Sequence, residues 1–559
     1  MIRDGKIWIA NNDKGENLCI IPKMANRHGL VAGATGTGKT VTLKVMAESF
    51  SDMGVPVFMA DVKGDIAGMM NPGADSADMQ ARIERFGLAE AGFSFTGYPV
   101  TLWDLYGEKG IQLRTTISEM GPLLLSRILN LNETQSNILS VVFKICDDNN
   151  LLLIDTKDLK SALAYVSENH ALFTADYGRI SSASVAVIIR AIVALESAGG
   201  DVFFGEPDLN ITDWFSLGDG GRGMINILDS SSLINSLKLY STFLLWLLSE
   251  IFETLPEVGD LAKPRMVFFF DEAHLLFNDC SKALLEKIEQ VVKLVRSKGV
   301  GVYFCTQNPK DIPNDVLSQL GNKIEHGLRA YTPADQKAVK AAAQSFRVNP
   351  EFDTYETILN LGTGEAVVSF LDEGGIPTVC QKAYILPPRC SFGTVSDAER
   401  DQKTKESLLY LKYARPVDSD SAYEVLQRKE IEDAEAAEEA ARKAAEEKEA
   451  AKLAAQQEKE AAKAAEREAR EAAKQAEREA REAAKQAEKE AKAAAKAAEQ
   501  KKKNAKQLAK TVGNSVVGTV GREAGKALGK NFGSFGKTLG GNVGASLGRG
   551  LLSTLLNRK

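Results

Sequence analysis

The chain has little of what would staple it together or carry it through a membrane. Six cysteines (Cys19, Cys146, Cys280, Cys305, Cys380 and Cys390) are scattered along 559 residues, with no CxxC pair and no histidine nearby to complete a zinc site. That pattern excludes a disulfide framework and a zinc ribbon, and it points to free thiols in a reducing compartment. Long hydrophobic runs are missing too. The most apolar stretch, Tyr240 to Phe252, carries Glu250 and is too short to span a bilayer, and the opening MIRDGKIWIA is not a secretory leader. A cytoplasmic location is expected. From Glu430 to Lys510 large apolar residues almost vanish, leaving Ile431, Leu453 and Leu508. A two-stranded coiled coil needs large apolar side chains at two positions of every heptad, so a stable one is not expected there.

What fills that stretch is Ala, Glu, Lys, Arg and Gln. An 11-residue unit, EREAREAAKQA, occupies 466 to 476 and recurs at 477 to 487, with a degenerate copy, EKEAKAAAKAA, at 488 to 498. Eleven residues are close to three helical turns, and Glu466/Arg470, Glu477/Arg481 and Glu488/Lys492 are i,i+4 pairs in the favourable order. The spacing predicts a long helix over 429–510, either a solvated spacer or a weak Ala-based coiled coil. Beyond it, 511–559 is a basic tail with glycine at every fourth position in two sets, 521 to 533 and 536 to 548. Such glycines permit close contact with another helix, with a membrane surface or with a partner protein; a flexible tail is the plainer reading, because glycine costs about 1 kcal/mol per helical position. Residues 501–559 hold twelve Lys or Arg against the single acid Glu523, although the whole chain is net −6. A basic tail is attached to an acidic body.

The body alternates apolar strand-like runs with helical patterns: GLVAG (29–33), VPVFMAD (55–61), MVFFFD (266–271) and GVGVYFC (299–305). Strands apolar on both faces and separated by helices imply an α/β fold with a mostly parallel, doubly covered sheet. Residues 112–200 read as an all-helical insertion, so the core is expected at 1–111 and 201–400, followed by a linker at 401–428.

The strongest chemical signal is Gly33-Ala34-Thr35-Gly36-Thr37-Gly38-Lys39-Thr40, a GxxxxGK[ST] loop between a strand and an amphipathic helix. Its glycines let backbone N–H groups wrap phosphates, Lys39 reaches the β and γ phosphates, and Thr40 offers its hydroxyl to Mg²⁺. ATP and Mg²⁺ are the expected cofactors. The strand Val267 to Phe270 delivers Asp271 and Glu272 to its carboxyl end, where ligands bind in open α/β sheets. Asp271 is expected in the Mg²⁺ shell and Glu272 as the base that polarises water; the bland reading of the pair is a helix cap. His274 reads as a packed helix residue. Gln307, at the end of GVGVYFCTQNP, is placed to sense the γ-phosphate or the lytic water, unless it only caps the turn before Pro309. Arg296 and Arg329 are candidates for an arginine supplied to a neighbouring subunit.

The order GATGTGKT, DVKGD (Asp61 to Asp65), FFFDEAH and RSKGVGVYFCTQNP resembles the HerA/FtsK group of P-loop ATPases. With MANRHGLVAGATGTGKT, FFFDEAHLLFND and LGTGEA added, it is similar to the bacterial HerA-like helicase subfamily of the YjgR type over about residues 1 to 400. The resemblance implies a RecA-like core, a homohexameric ring and ATP-driven movement on double-stranded DNA. It also implies the roles above for Lys39, Thr40, Asp271, Glu272 and Gln307, with Arg296 as the arginine acting in trans. One departure concerns the N-terminus. Archaeal HerA carries a β-barrel there that docks a nuclease, and the 32 residues before Gly33 are too few for it, so a nuclease-coupled role is not expected. The letters DEAH at 271 to 274 do not make this a DEAH-box helicase, because no Ser-Ala-Thr motif and no QRxGRxGR string accompany them. The expected activity is an ATPase motor on DNA. The alternative is a membrane- or partner-tethered ATPase that moves or remodels protein.

Overall fold

A computed structural model describes residues 1–502 except 198, 233–236 and 278–281; the basic tail 511–559 and Cys280 lie outside the described residues. The chain divides into two compact units, 1–439 and 440–559.

The first unit is built on one sheet of thirteen strands: β1 (Ile2–Arg3), β2 (Lys6–Asn12), β3 (Asn17–Ile20), β4 (Gly29–Ala32), β5 (Val57–Asp61), β6 (Val100–Asp104), β7 (Ile111–Gln112), β8 (Ile225–Asp229), β9 (Met266–Phe270), β10 (Val300–Thr306), β11 (Asn322–His326), β12 (Glu365–Ser369) and β13 (Gln381–Ile385). Their order is β1-β2-β13-β12-β11-β4-β10-β9-β5-β8-β6-β7, with β3 pairing β2. From β11 to β7 every pairing is parallel, and from β12 to β1 every pairing is antiparallel. The four apolar runs seen in the sequence are β4, β10, β9 and β5, side by side at the centre and buried along their length.

Alternation along these strands assigns each face its own core. Met59, Phe269 and Tyr303 meet the helix Lys39–Asp52 through Phe50, Leu43 and Met46. Phe58, Phe268, Phe270 and Phe304 turn the other way, onto Phe243 and Leu247 of the helix Leu237–Thr254. The same cluster runs on without a break into the helices Ile117–Ile128, Glu133–Asp148, Thr156–Glu168 and Ser182–Ser197. Residues 112–200 are therefore helical but share the core of the sheet. Among the described residues no single helix is long and apolar enough to cross a membrane.

The segment expected as a linker, 401–428, is instead folded onto the sheet. It contains the end of the helix Asp397–Glu406, the short helix Tyr410–Tyr413 and the start of a helix that runs from Ala422. Three anchors explain the difference. Arg400, just before the segment, is buried and donates to Asp229 Oδ2 at 2.6 Å. Tyr413 is fully buried, its ring edge-on to Trp103 at 5.5 Å and its carbonyl accepting from Arg114 Nη1 at 2.8 Å. Ala422 and Leu426 complete the contact. Apolar residues are frequent in the segment, but several, such as Leu408, Leu411 and Val417, are exposed, so its composition does not single out the buried ones.

The helix Ala422–Lys502 is 81 residues long. In the second unit its described side chains, 440–494, are all exposed, Leu453 at 61%. Ion pairs such as Glu488–Lys492 at 2.9 Å and Arg442–Glu446 at 3.8 Å lie along its surface. It is a solvated helix with no apolar seam among these residues.

Candidate nucleotide site

The site is assembled at the carboxyl edge of β4, β10, β9 and β5, where the parallel strands end together. The loop after β4 turns through three glycines with left-handed backbone, Gly33 at φ 149°, Gly36 at 79° and Gly38 at 112°. At Gly33 a Cβ would come within 2.5 Å of the His326 Cβ, so a side chain is excluded by contact as well as by conformation. Gly38 caps the helix Lys39–Asp52 without any side-chain partner for its first N–H groups. Those donors and the helix dipole form a phosphate cradle. Lys39 Nζ donates to the carbonyls of Gly33 at 2.6 Å and Ala34 at 3.1 Å, which holds the ammonium over the loop. Thr37 donates to Ala34 O at 2.7 Å, and Thr40 is half-buried on the first turn of the helix.

Asp271 follows β9 and is 6% exposed. Burial, and next the negative charge of Glu272, push its carboxyl above the ordinary range, so a cation at this point would be strongly favoured. Its Oδ1 accepts the Glu272 N–H at 2.9 Å. Glu272 itself has φ 49°, in the left-handed region. A non-glycine residue there stores backbone strain of about 1–3 kcal/mol, of the kind found at functional sites. Gln307 Nε2 donates to both oxygens of the Glu272 carboxylate at 3.3 Å, and His274 Nδ1 lies 3.4 Å from Oε2.

Each candidate can now be located. The turn before Pro309 is capped by Asn308, whose Oδ1 accepts from Lys310 N at 3.2 Å, which leaves Gln307 to face Glu272. His274 opens the helix His274–Phe277, as its packed reading expects, yet its ring stands beside the carboxylate. Arg296 lies in the turn before β10, at the amino edge of the sheet and so at the opposite end from Lys39 and Asp271. It is no part of the site within one chain. Arg329 is exposed and lines a cleft of about 340 Å³ together with Ala34, Thr35, Gln307, Asn308 and Lys310. Of the two arginines, this is the one at the mouth of the phosphate loop.

Four residues that sequence reasoning did not assign belong here. His326, at the end of β11, donates through Nδ1 to Glu365 O at 2.9 Å and accepts at Nε2 from the Thr42 hydroxyl at 2.9 Å. Burial lowers its pKa to about 4, so the ring is neutral and braces the loop from behind. Cys305 on β10 hydrogen-bonds Asp271, and burial pushes its thiol far up. Glu325 is fully enclosed, its carboxyl raised to about 8 by burial, with Oε1 lacking a hydrogen-bond partner among the described residues. Lys63, in the DVKGD turn, places Nζ 3.9 Å from Glu272 Oε1. HGL begins on the last residue of β11 and DVKGD on the last residue of β5, each at the end of a buried strand, and that is the available signal.

Known proteins similar to this chain fall into one group. The model of the family described as "Helicase HerA-like C-terminal" matches residues 6–542. A probable helicase, MJECL08, of Methanocaldococcus jannaschii is 32% identical over 125 residues, 22% of each chain. The DNA double-strand break repair helicase HerA of Sulfurisphaera tokodaii is 24% identical over 352 residues, 61% of this chain and 62% of the relative. The chain thus spans less than two thirds of the length of these curated relatives. Among solved structures, the bacterial conjugative coupling protein TrwB aligns with 70% of the chain and 93% of its own at 15% identity and TM-score 0.45. VirB4 of Thermoanaerobacter pseudethanolicus aligns with 69% and 97% at 15% identity and TM-score 0.46. With its phosphate loop, paired acids and strand-end glutamine on one sheet edge, and with the family model matched over nearly all its length, the chain belongs to the HerA-like helicase C-terminal family.

Proposed function

We propose that the protein is an ATP-hydrolysing motor that couples ATP turnover to movement on double-stranded DNA, working as a ring of identical subunits, six by family resemblance. The observation that carries the ATPase reading is the meeting of Glu272 and Gln307 at 3.3 Å beside a glycine-walled phosphate loop. The DNA part rests on the family and on its curated relatives, whose names are those of helicases.

The residues fit the nucleotide and its ion. Backbone N–H groups from Gly36 to Thr40 and the Lys39 ammonium would hold the β and γ phosphates. Thr40 and Asp271 would hold Mg²⁺, and the enclosed carboxyl of Asp271 is a group that a cation would keep ionised. When bound, Mg²⁺ neutralises charge on the phosphate oxygens. Glu272 takes the proton of the attacking water as its oxygen bonds to the γ-phosphorus, and the bond to the ADP oxygen breaks. Gln307 fixes the orientation of Glu272. Arg329, at the cleft, and Arg296, at the far edge of the sheet, are the candidates to complete the site of a neighbouring subunit.

The test is the ATPase rate of the purified protein with double-stranded DNA, single-stranded DNA, RNA and no polymer, at several low salt concentrations because phosphate contacts are screened. Stimulation by double-stranded DNA is expected. Hydrolysis that no nucleic acid stimulates or binds would sink the DNA assignment and leave an ATPase acting on another polymer.

A further inference from the structure

We infer that Lys63 is a positioning residue for hydrolysis, acting through Glu272 by clamping its carboxylate between the two strands that flank β9. This inference rests on the reading of Glu272 as the base.

The geometry is that of a clamp with two jaws. In the sheet β9 lies between β10 and β5. Glu272, just past β9, meets Gln307 from the end of β10 on one side and Lys63 from the turn after β5 on the other. With φ at 49° its backbone does not settle unaided in this arrangement. The carboxylate therefore needs partners on both sides to stay in one place. Gln307 gives direction through two N–H contacts, and Lys63 adds charge at 3.9 Å from Oε1.

The turn that presents Lys63 is itself built for the purpose. Asp61, the last residue of β5, accepts from the N–H groups of Lys63 at 3.2 Å, Gly64 at 2.7 Å and Ile66 at 2.9 Å. Gly64, at φ 75°, closes the turn and gives its carbonyl to Arg400 Nη2 at 3.3 Å. Arg400 is in turn fixed by Asp229 at the end of β8. Three N–H groups and one carbonyl of the turn that presents Lys63 are thus held, while its side chain remains 45% exposed.

Steady-state kinetics on the full-length protein test the inference. Lys63→Ala is expected to lower kcat about 10-fold with KM for ATP unchanged, because misplacing a catalytic group costs rate and not ground-state binding. Lys63→Arg, which keeps the charge, should recover most of the rate. In a Glu272→Gln background, Lys63→Ala should change neither residual rate nor affinity for a fluorescent ATP analogue. A raised KM, or analogue binding weakened in that background, would show Lys63 acting on phosphate and overturn the inference. So would an unchanged or increased kcat in Lys63→Ala. Glu272→Gln alone separates the two readings: if it hydrolyses ATP at the wild-type rate, the assignment of the base has failed, whatever Lys63 does. Thermal melting of each variant verifies that the half-exposed position leaves the fold intact.

Discussion

The carboxyl edge of the sheet and the helix 422–502 spend charge in opposite ways. On the sheet edge Asp61, Asp229 and Asp104 stand in register on three adjacent strands, all buried, with Asp271 and Glu325 nearby on the same edge. Each of these side chains has few partners, and each partner matters. Along the helix, acids and bases are many, exposed and paired with residues one turn away. Charge removed from water acts locally and strongly, whereas charge left in water is screened and nearly interchangeable. If the contrast is sound, single substitutions on the edge should be costly and substitutions on the helix almost silent.

The largest effect is expected at the phosphate loop. Lys39→Ala should abolish binding of a fluorescent ATP analogue, while Glu272→Gln should keep binding and lose about 10²- to 10⁴-fold in turnover, the span of a general base. An exposed residue of the helix, such as Glu477→Gln, should alter neither. A helix variant that lowered ATP turnover as much would break the comparison.

Next comes the buried pair behind the edge. Arg400→Met leaves Asp229 enclosed without its cation, and breaking a buried pair on one side costs about 3–5 kcal/mol, read by urea denaturation. The exposed pair Glu488–Lys492 is worth about 0.2–0.5 kcal/mol on the same scale. Equal losses at the two sites would erase the distinction.

A pH-dependent effect is expected at Glu325. Its folded pKa, about 8, lies above the ordinary carboxyl value of 4.5. The folded state therefore holds a proton that the unfolded state has released, and stability falls as pH rises from 4.5 to 8. Glu325→Gln should abolish that slope, so the variant gains on the wild type across this window and matches its trend below it. A parallel pair of stability curves from pH 4 to 9 would show that the carboxyl ionises as freely as one on the helix.

The smallest effect sharpens the comparison from the other side. Leu453→Glu should leave helicity by circular dichroism and the sedimentation coefficient unchanged, since the side chain is exposed. A fall in mass would reveal a seam between copies.

The sequence made the centre of this arrangement legible because its signals are local. GATGTGKT needs its glycines in order along the chain, and FFFDE carries its own strand. The long helix was legible for the same reason, its i,i+4 pairs being near neighbours. What stayed hidden depends on contacts between distant segments. His326 lies 284 residues from Thr42 and Arg400 lies 171 from Asp229. The spacing of neither pair is a motif. The strands β6 and β8 are less legible because VTLWD and INILD carry polar residues inside the run, although Trp103 Nε1 donates to Asn226 Oδ1 at 3.1 Å inside the core. The segment 401–428 reads as a linker because nothing in its composition separates the buried Tyr413, Ala422 and Leu426 from the exposed Leu408 and Leu411. Arg296 adjoins β10 in sequence but lies at its amino end, so the role open to it is in the site of a neighbouring subunit.

The brace behind the phosphate loop has a mechanical side. Thr37 O accepts from Gly364 N at 3.0 Å, which joins the loop to the start of β12, and His326 links Thr42 of the following helix to Glu365 O of the same strand. From there a ladder of hydrogen bonds leads through β13 to β2. Packed interiors are stiff and transmit small displacements. A displacement of the phosphate loop would therefore be felt along the antiparallel strands, as far as the outer edge of the sheet.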